Sequence, residues 1–281
     1  MNTVGKVLKV VAIILFFVWT IVPIVFMVTA SLKVTGDIFI LPPPGDWLGI
    51  VKLLFYFKPS LVQYYHIFFQ GLFLTNLVNS ILATIFSVLI SVPLGLLAAY
   101  ALSRANIPGK QHLLFWVIST RMAPPIAVII PLYVLWSRLG ILMTLPGLVL
   151  AYTTFNLPFS IWLLKGFMDS IPVELEEAAR VDGRGRVRTF TDVTLPLIAP
   201  GLGATVILCS LMAWNDYIFA LILGGRGVKT LPIGITELES AAFVLWGQIM
   251  AGGVILIVPM IILGLLIRKY LVQGLTMGAL K

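Results

Sequence analysis

The side chains best suited to chemistry fall in two groups. The first is the stretch 166–192, which holds six of the eleven acidic residues (Asp169, Glu174, Glu176, Glu177, Asp182 and Asp192) together with Arg180, Arg184, Arg186 and Arg188. The second is a set of polar and aromatic residues inside long apolar runs: Arg121 and Asp216, the two charges, with Asn156, Asn215, Tyr152, Trp214 and Tyr217. Neither group is catalytic machinery. The histidines are His66 and His112 alone, and no H-E-x-x-H or G-x-S-x-G pattern is present. Cys209 is the single cysteine and no metal-ligand cluster exists, so Cys209 reads as a small buried hydrophobe. The chemistry left to these residues is recognition. A charge in an apolar run is expensive and marks function by default; Arg121 and Asp216 can line a path through the protein or pair with each other. Asn156 and Asn215 suit hydroxyl groups, while Tyr152, Trp214 and Tyr217 can stack on rings or pack between helices.

Membrane helices must position them. The 281 residues are 60% hydrophobic and 11% charged, with a mean hydropathy of +1.07. An ordinary soluble domain carries about 25% charge, and no soluble fold of this size could hide so much apolar surface. A span needs about 20 mostly apolar residues. Charge-poor runs place six spans at about 10–32, 72–101, 113–137, 141–164, 197–223 and 248–268 in one all-α, polytopic domain covering 1–281. The first run is long, lacks a small-residue cleavage site and precedes five more, which favours a signal anchor over a cleaved signal peptide.

Twelve of the nineteen Lys and Arg residues fall on one side: Lys6, Lys9, Arg104, Lys110, Lys165, Arg180, Arg184, Arg186, Arg188, Arg268, Lys269 and Lys281. Six fall on the other (Lys33, Lys52, Lys58, Arg138, Arg226 and Lys229). The positive-inside rule therefore gives N-in, C-in. Topology accounts for the net charge of +8, and nucleic acid is not an expected partner.

The external segment 33–71 carries Pro42-Pro43-Pro44 and a run of aromatics (Trp47, Phe55, Tyr56, Phe57, Tyr64, Tyr65) that suits an interfacial belt or a docking surface. The cytoplasmic loop 166–196 is more informative. Ser170 can cap a helix with Pro172 in its first turn, and Glu174, Glu176 and Glu177 then lie near the positive dipole end. Ala178 and Ala179 keep one face slim, and Gly183 ends the helix in a left-handed turn. A second short basic helix follows before Pro196 opens the next span. A solvated connector would look similar, but so long a loop without function is uncommon.

Glu177-Ala178-Ala179, three residues, Gly183, nine residues, then Val193-Thr194-Leu195-Pro196 resembles the EAA loop of ABC importer permeases, with Val for the usual Ile. Arg121-Met122-Ala123-Pro124-Pro125, the stretch Tyr152–Phe159, Ile171–Glu177, Trp214–Ala220 and Gln273–Ala279 resemble the carbohydrate branch, the second permease of maltose-type systems. The resemblance is weakest in 33–71. It implies a type I importer in the cytoplasmic membrane that moves a sugar or polyol by alternating access. Its partners would be a second permease, two ATPase subunits and an external substrate-binding protein. ATP and Mg would belong to the ATPases, since this chain has no G-x-x-x-x-G-K-[ST] loop and needs no cofactor of its own. Glu177, Ala178, Ala179, Arg180, Asp182, Gly183, Leu195 and Pro196 would then couple to the ATPase. Glycerol 3-phosphate or another small polar solute is the alternative cargo. An ion-coupled secondary transporter fits less well: that class usually shows internal repeats and a complete path in one chain, and six spans with an EAA-like loop match it poorly.

Overall fold

A computed structural model describes residues 3–38, 46, 48–49, 56–69, 71, 73–239 and 244–278, with side chains described for all of these except 3–4, 6 and 268–278. The Pro42–Pro44 tract, Trp47 and Phe55 lie outside the described residues. Helices dominate, and no β-strand occurs among the described residues. Those within 1–74 and 234–258 form one compact unit, and those within 75–233 and 259–281 another.

In the first unit, α1 (Thr3–Ser31) is long, apolar and exposed along most of its length. Helix α2 (Val62–Phe69) shortens the predicted external loop, and Tyr64 Oη lies 2.9 Å from Ser31 Oγ. Gln63 donates to the Lys33 carbonyl at 3.0 Å, fixing the turn between them.

The second unit holds both groups of candidate residues. Helix α3 (Phe73–Arg104) runs 32 residues through Pro93. The predicted third span is not one helix. It is α4 (Lys110–Ser119), a 3₁₀ turn at Thr120–Met122, and α5 (Pro125–Arg138), bent by 93°. Pro124-Pro125 forces the break: each ring fixes its φ, and the residue before a proline is pushed out of the helical region. Ala123 is accordingly extended at φ −65°, ψ 131°. Helix α6 (Leu145–Asp169) begins where the Thr144 hydroxyl accepts from Gly147 N–H at 3.2 Å, and it passes Pro158 unbroken.

Helix α7 (Val173–Val181) follows a tight turn. Ser170 does not cap it, because its hydroxyl donates back to the Phe167 carbonyl at 2.7 Å and the cap position falls to Pro172. The second basic helix is not separate either. Helix α8 (Arg186–Thr189) is the first turn of one continuous span that widens to a π-helix at Phe190–Thr194 and continues as α9 (Leu195–Trp214). The wide turn has a cause. In a regular helix the Pro196 ring would strike the Asp192 carbonyl one turn earlier. The fifth span is interrupted at Asn215–Tyr217 before a second π segment, Ala220–Gly224. Asn79 donates to the Lys229 carbonyl at 3.0 Å and Leu231 N–H donates to Ser80 Oγ at 2.7 Å, tying the following loop to α3.

Helices α10 (Leu231–Thr236) and α11 (Trp246–Gly278) complete the chain. Five described helices are long and apolar enough to cross a membrane, and the bent pair makes a sixth. Gly252 and Gly253 pack closely, against Ile235 and Met27, whereas Gly264 faces open space.

Candidate functional site

The loop is built from the turn at Gly183 outward. Gly183 has φ +85°, the left-handed conformation that costs glycine nothing. Its N–H donates to the Arg180 carbonyl at 3.0 Å, and Arg184 N–H donates to the Ala179 carbonyl at 3.1 Å. These are the paired bonds of a Schellman termination, which satisfies the last carbonyls of α7. Glu176 and Ala179 face the protein and are buried. Glu174, Glu177, Ala178 and Val181 form the opposite stripe at i, i+3, i+4 and i+7, all exposed, with Val181 at 88%. Arg180 and Asp182 are also exposed, while Leu195 packs into the apolar cluster around Leu164, Met168 and Ile198. Pro196 is exposed on the first turn of α9.

Sequence reasoning missed what holds α7 in place. Glu176 is 0% exposed, and its Oε1 accepts from Arg104 Nε at 2.7 Å. Arg104 also donates to the Ile171 carbonyl at 3.0 Å, and Tyr100 Oη donates to Glu176 Oε2 at 3.4 Å. Beside this pair Ser103 and Lys165 both donate to Asp169, the latter at 2.5 Å. Nothing in the loop's sequence separates Glu176 from its acidic neighbours, and its partner lies 72 residues away.

At the 93° elbow a cavity of about 560 Å³ opens. Its walls include Thr120, Arg121, Thr154, Phe155, Met212 and Asp216. Arg121 and Asp216 are thus brought to one cavity without forming an ion pair with each other. The Arg121 guanidinium sits 4.7 Å from the Phe159 ring centroid and 3.4 Å from Met212 Sδ. Asp216 accepts from Ala220 N–H at 3.0 Å, capping the segment after the break in α9.

The other predicted path residues do not line this cavity. Tyr152 and Asn156, one turn apart on α6, are fully buried in the helix packing. Trp214 is buried at the end of α9, Asn215 folds its amide onto the Leu211 carbonyl at 2.8 Å, and Tyr217 is exposed. Thr154, Phe155 and Met212, which do line it, carry no signal that separates them from ordinary span residues. Among the described residues, no group of three or more His, Cys, Asp or Glu is placed to hold a metal.

The family model described as binding-protein-dependent transport system inner membrane component matches residues 91–277, which contain the loop and the cavity. The chain belongs to that family. The permease is 37% identical to the trehalose/maltose transport system permease protein MalG of Thermococcus litoralis, over 72% of this chain and 74% of that one. It is 38% identical to the trehalose transport system permease protein SugB of Mycobacterium tuberculosis, over 79% and 84%. It is 31% identical to the diacetylchitobiose uptake system permease protein DasC of Streptomyces coelicolor, over 99% and 98%. The permease shares its fold with a chain of a bacterial ABC transporter that imports the acidic polysaccharide alginate (TM-score 0.78, 23% identity, 96% of this chain and 98% of that one). The permease is therefore a multi-pass membrane component of an ABC importer, and its function is transport.

Proposed function

We propose that this permease carries a sugar across the cytoplasmic membrane as one of two membrane subunits, driven by ATPase subunits that dock on α7, with an external binding protein delivering the solute. The observation that carries the docking is the exposed stripe of Glu174, Glu177, Ala178 and Val181, opposite an anchored face. A valine 88% exposed between Arg180 and Asp182 buries little in the isolated chain and suits a partner that covers its apolar surface. Sugar as cargo is supported by the relatives, which are named for trehalose, maltose and diacetylchitobiose. The elbow cavity agrees: aromatic Phe155 and Phe219, hydroxyls of Thr120 and Thr154, and opposite charges from Arg121 and Asp216 suit a neutral polyhydroxylated solute. Arg121 by itself would favour an anion such as glycerol 3-phosphate, but Asp216 on the same wall opposes one. ATP and Mg²⁺ would bind the partners.

The test is transport of labelled sugars into proteoliposomes holding the assembled complex, with the binding protein outside and ATP inside. Uptake of a di- or oligosaccharide that requires both supports the reading; uptake by this chain without ATP refutes it.

A further inference from the structure

We propose that Arg104 and Glu176 form a positioning pair that fastens α7 to the end of α3, so that displacement of α7 by its ATPase partner is delivered to α3 and α6 as well as to the span that follows the loop. The inference rests on the reading of α7 as the docking helix and adds where its movement goes. Arg104 bridges three elements at once: its own helix α3, the Ile171 carbonyl in the turn before α7, and Glu176 within α7, at 3.0 and 2.7 Å for the last two. Tyr100, one turn earlier on α3, approaches the second carboxylate oxygen at 3.4 Å, so α7 cannot roll without breaking the Arg104 bonds. The adjacent Ser103–Asp169–Lys165 cluster joins the ends of α3 and α6.

Toward α9, α7 packs directly against α8 and the π segment Phe190–Thr194, but the polar tie on that side, an Arg184–Asp192 pair at 3.4 Å, has both side chains about half exposed (44% and 48%), and such pairs contribute little. The Arg104–Glu176 pair is 10% and 0% exposed. Apolar residues of similar volume would stabilise such a position as well as a buried ion pair does. What the pair adds is a single register between two helices, which a slippery apolar contact would not hold.

The experiment uses the full complex in proteoliposomes, measuring solute moved per ATP hydrolysed. Glu176→Gln keeps the shape and removes the charge; solute per ATP is expected to fall by about tenfold or more, the effect of losing one charge-assisted hydrogen bond, while the ATPase subunits remain bound. Because a lone Arg104 can compromise folding, a second variant replaces both residues, R104C/E176C in a C209A background. A short bifunctional thiol reagent, applied to the assembled complex, should restore solute per ATP toward the parent value. Unchanged coupling in E176Q, or in the unlinked double cysteine, overturns the proposal, and so does a linked complex that stays uncoupled. Ala178→Cys cross-linking to the ATPase subunits separates the two levels. If no such link forms, the docking reading itself fails; if it forms while E176Q couples normally, only the positioning role fails.

Discussion

Replacing Gly183 tests whether the turn after α7 acts through its backbone or through contact. A Cβ at this position meets nothing within 4 Å, so crowding inside the permease adds no cost. The whole penalty comes from φ +85°, where an L-residue loses roughly 1–2 kcal/mol. Asparagine tolerates the left-handed region far better than alanine, and a β-branched residue tolerates it least. A loss of 1–2 kcal/mol is a factor of about 5–30 in the population of the correct turn. If that turn presents α7 to the ATPase, the same factor reduces ATPase affinity for the membrane subunits. The expected order of affinity is Gly183, then Gly183→Asn, Gly183→Ala and Gly183→Val, with the last weakened by the full factor. Titration of labelled ATPase subunits onto the permease complex in nanodiscs measures this directly. Alanine binding better than asparagine refutes the conformational argument, because it would mean that side-chain size at a partner surface decides. Equal affinity for all four variants refutes any role for the turn.

Other substitutions bear on separate parts of the molecule. Gly201→Ala would place a Cβ 2.4 Å from Cγ of the rigid Phe167 ring, where α9 crosses α6; overpacking of this kind costs about 1–3 kcal/mol, and a thermal unfolding midpoint several degrees lower is expected. Gly166→Ala, whose Cβ meets nothing within 4 Å inside α6, is the control that should leave the midpoint unchanged or slightly raised. Arg121→Gln and Asp216→Asn should raise the solute concentration for half-maximal transport while the complex still assembles; unchanged transport in both would remove the elbow cavity from the path. Val181→Glu, at an 88% exposed position, should leave thermal stability within about 0.5 kcal/mol and weaken ATPase association, and normal association would argue against the outer stripe of α7.

The loop was more legible in the sequence than the cavity, for a physical reason. Caps, turns and helix ends are local, so Gly183 and the acid-rich first turn of α7 could be read from neighbouring residues. Their tertiary anchor could not, because Arg104 and Glu176 meet only after α3 and α6 have packed. In the spans, the usual distinction between buried and exposed faces vanishes: lipid and protein interior are both apolar, and a helix such as α9 shows little preference for one face. Arg121 and Asp216 stood out because charge is rare there, and the structure does bring them to one cavity. Tyr152 and Asn156 looked equally suited to a path, yet helical phase turns them into the packing. Pro124-Pro125 makes a break in the third span, but its 93° angle depends on what α4 and α5 then pack against.

The attachment of α7 to the last turn of α3 has a mechanical consequence. Pro93 lacks the N–H that would bond the Leu89 carbonyl, so α3 has a soft point eleven residues before Arg104. At about 1.5 Å per residue, the segment beyond it is a rigid arm of about 16 Å. A bend of about 10° at Pro93 would swing Arg104, and Glu176 with it, by about 3 Å, comparable to the small helix shifts that drive switching elsewhere. The arm works in both directions. On the proposed coupling, movement of α7 would rotate α3 about a point in the apolar layer, and a change in packing around Pro93 would be amplified at the surface where the ATPase would sit.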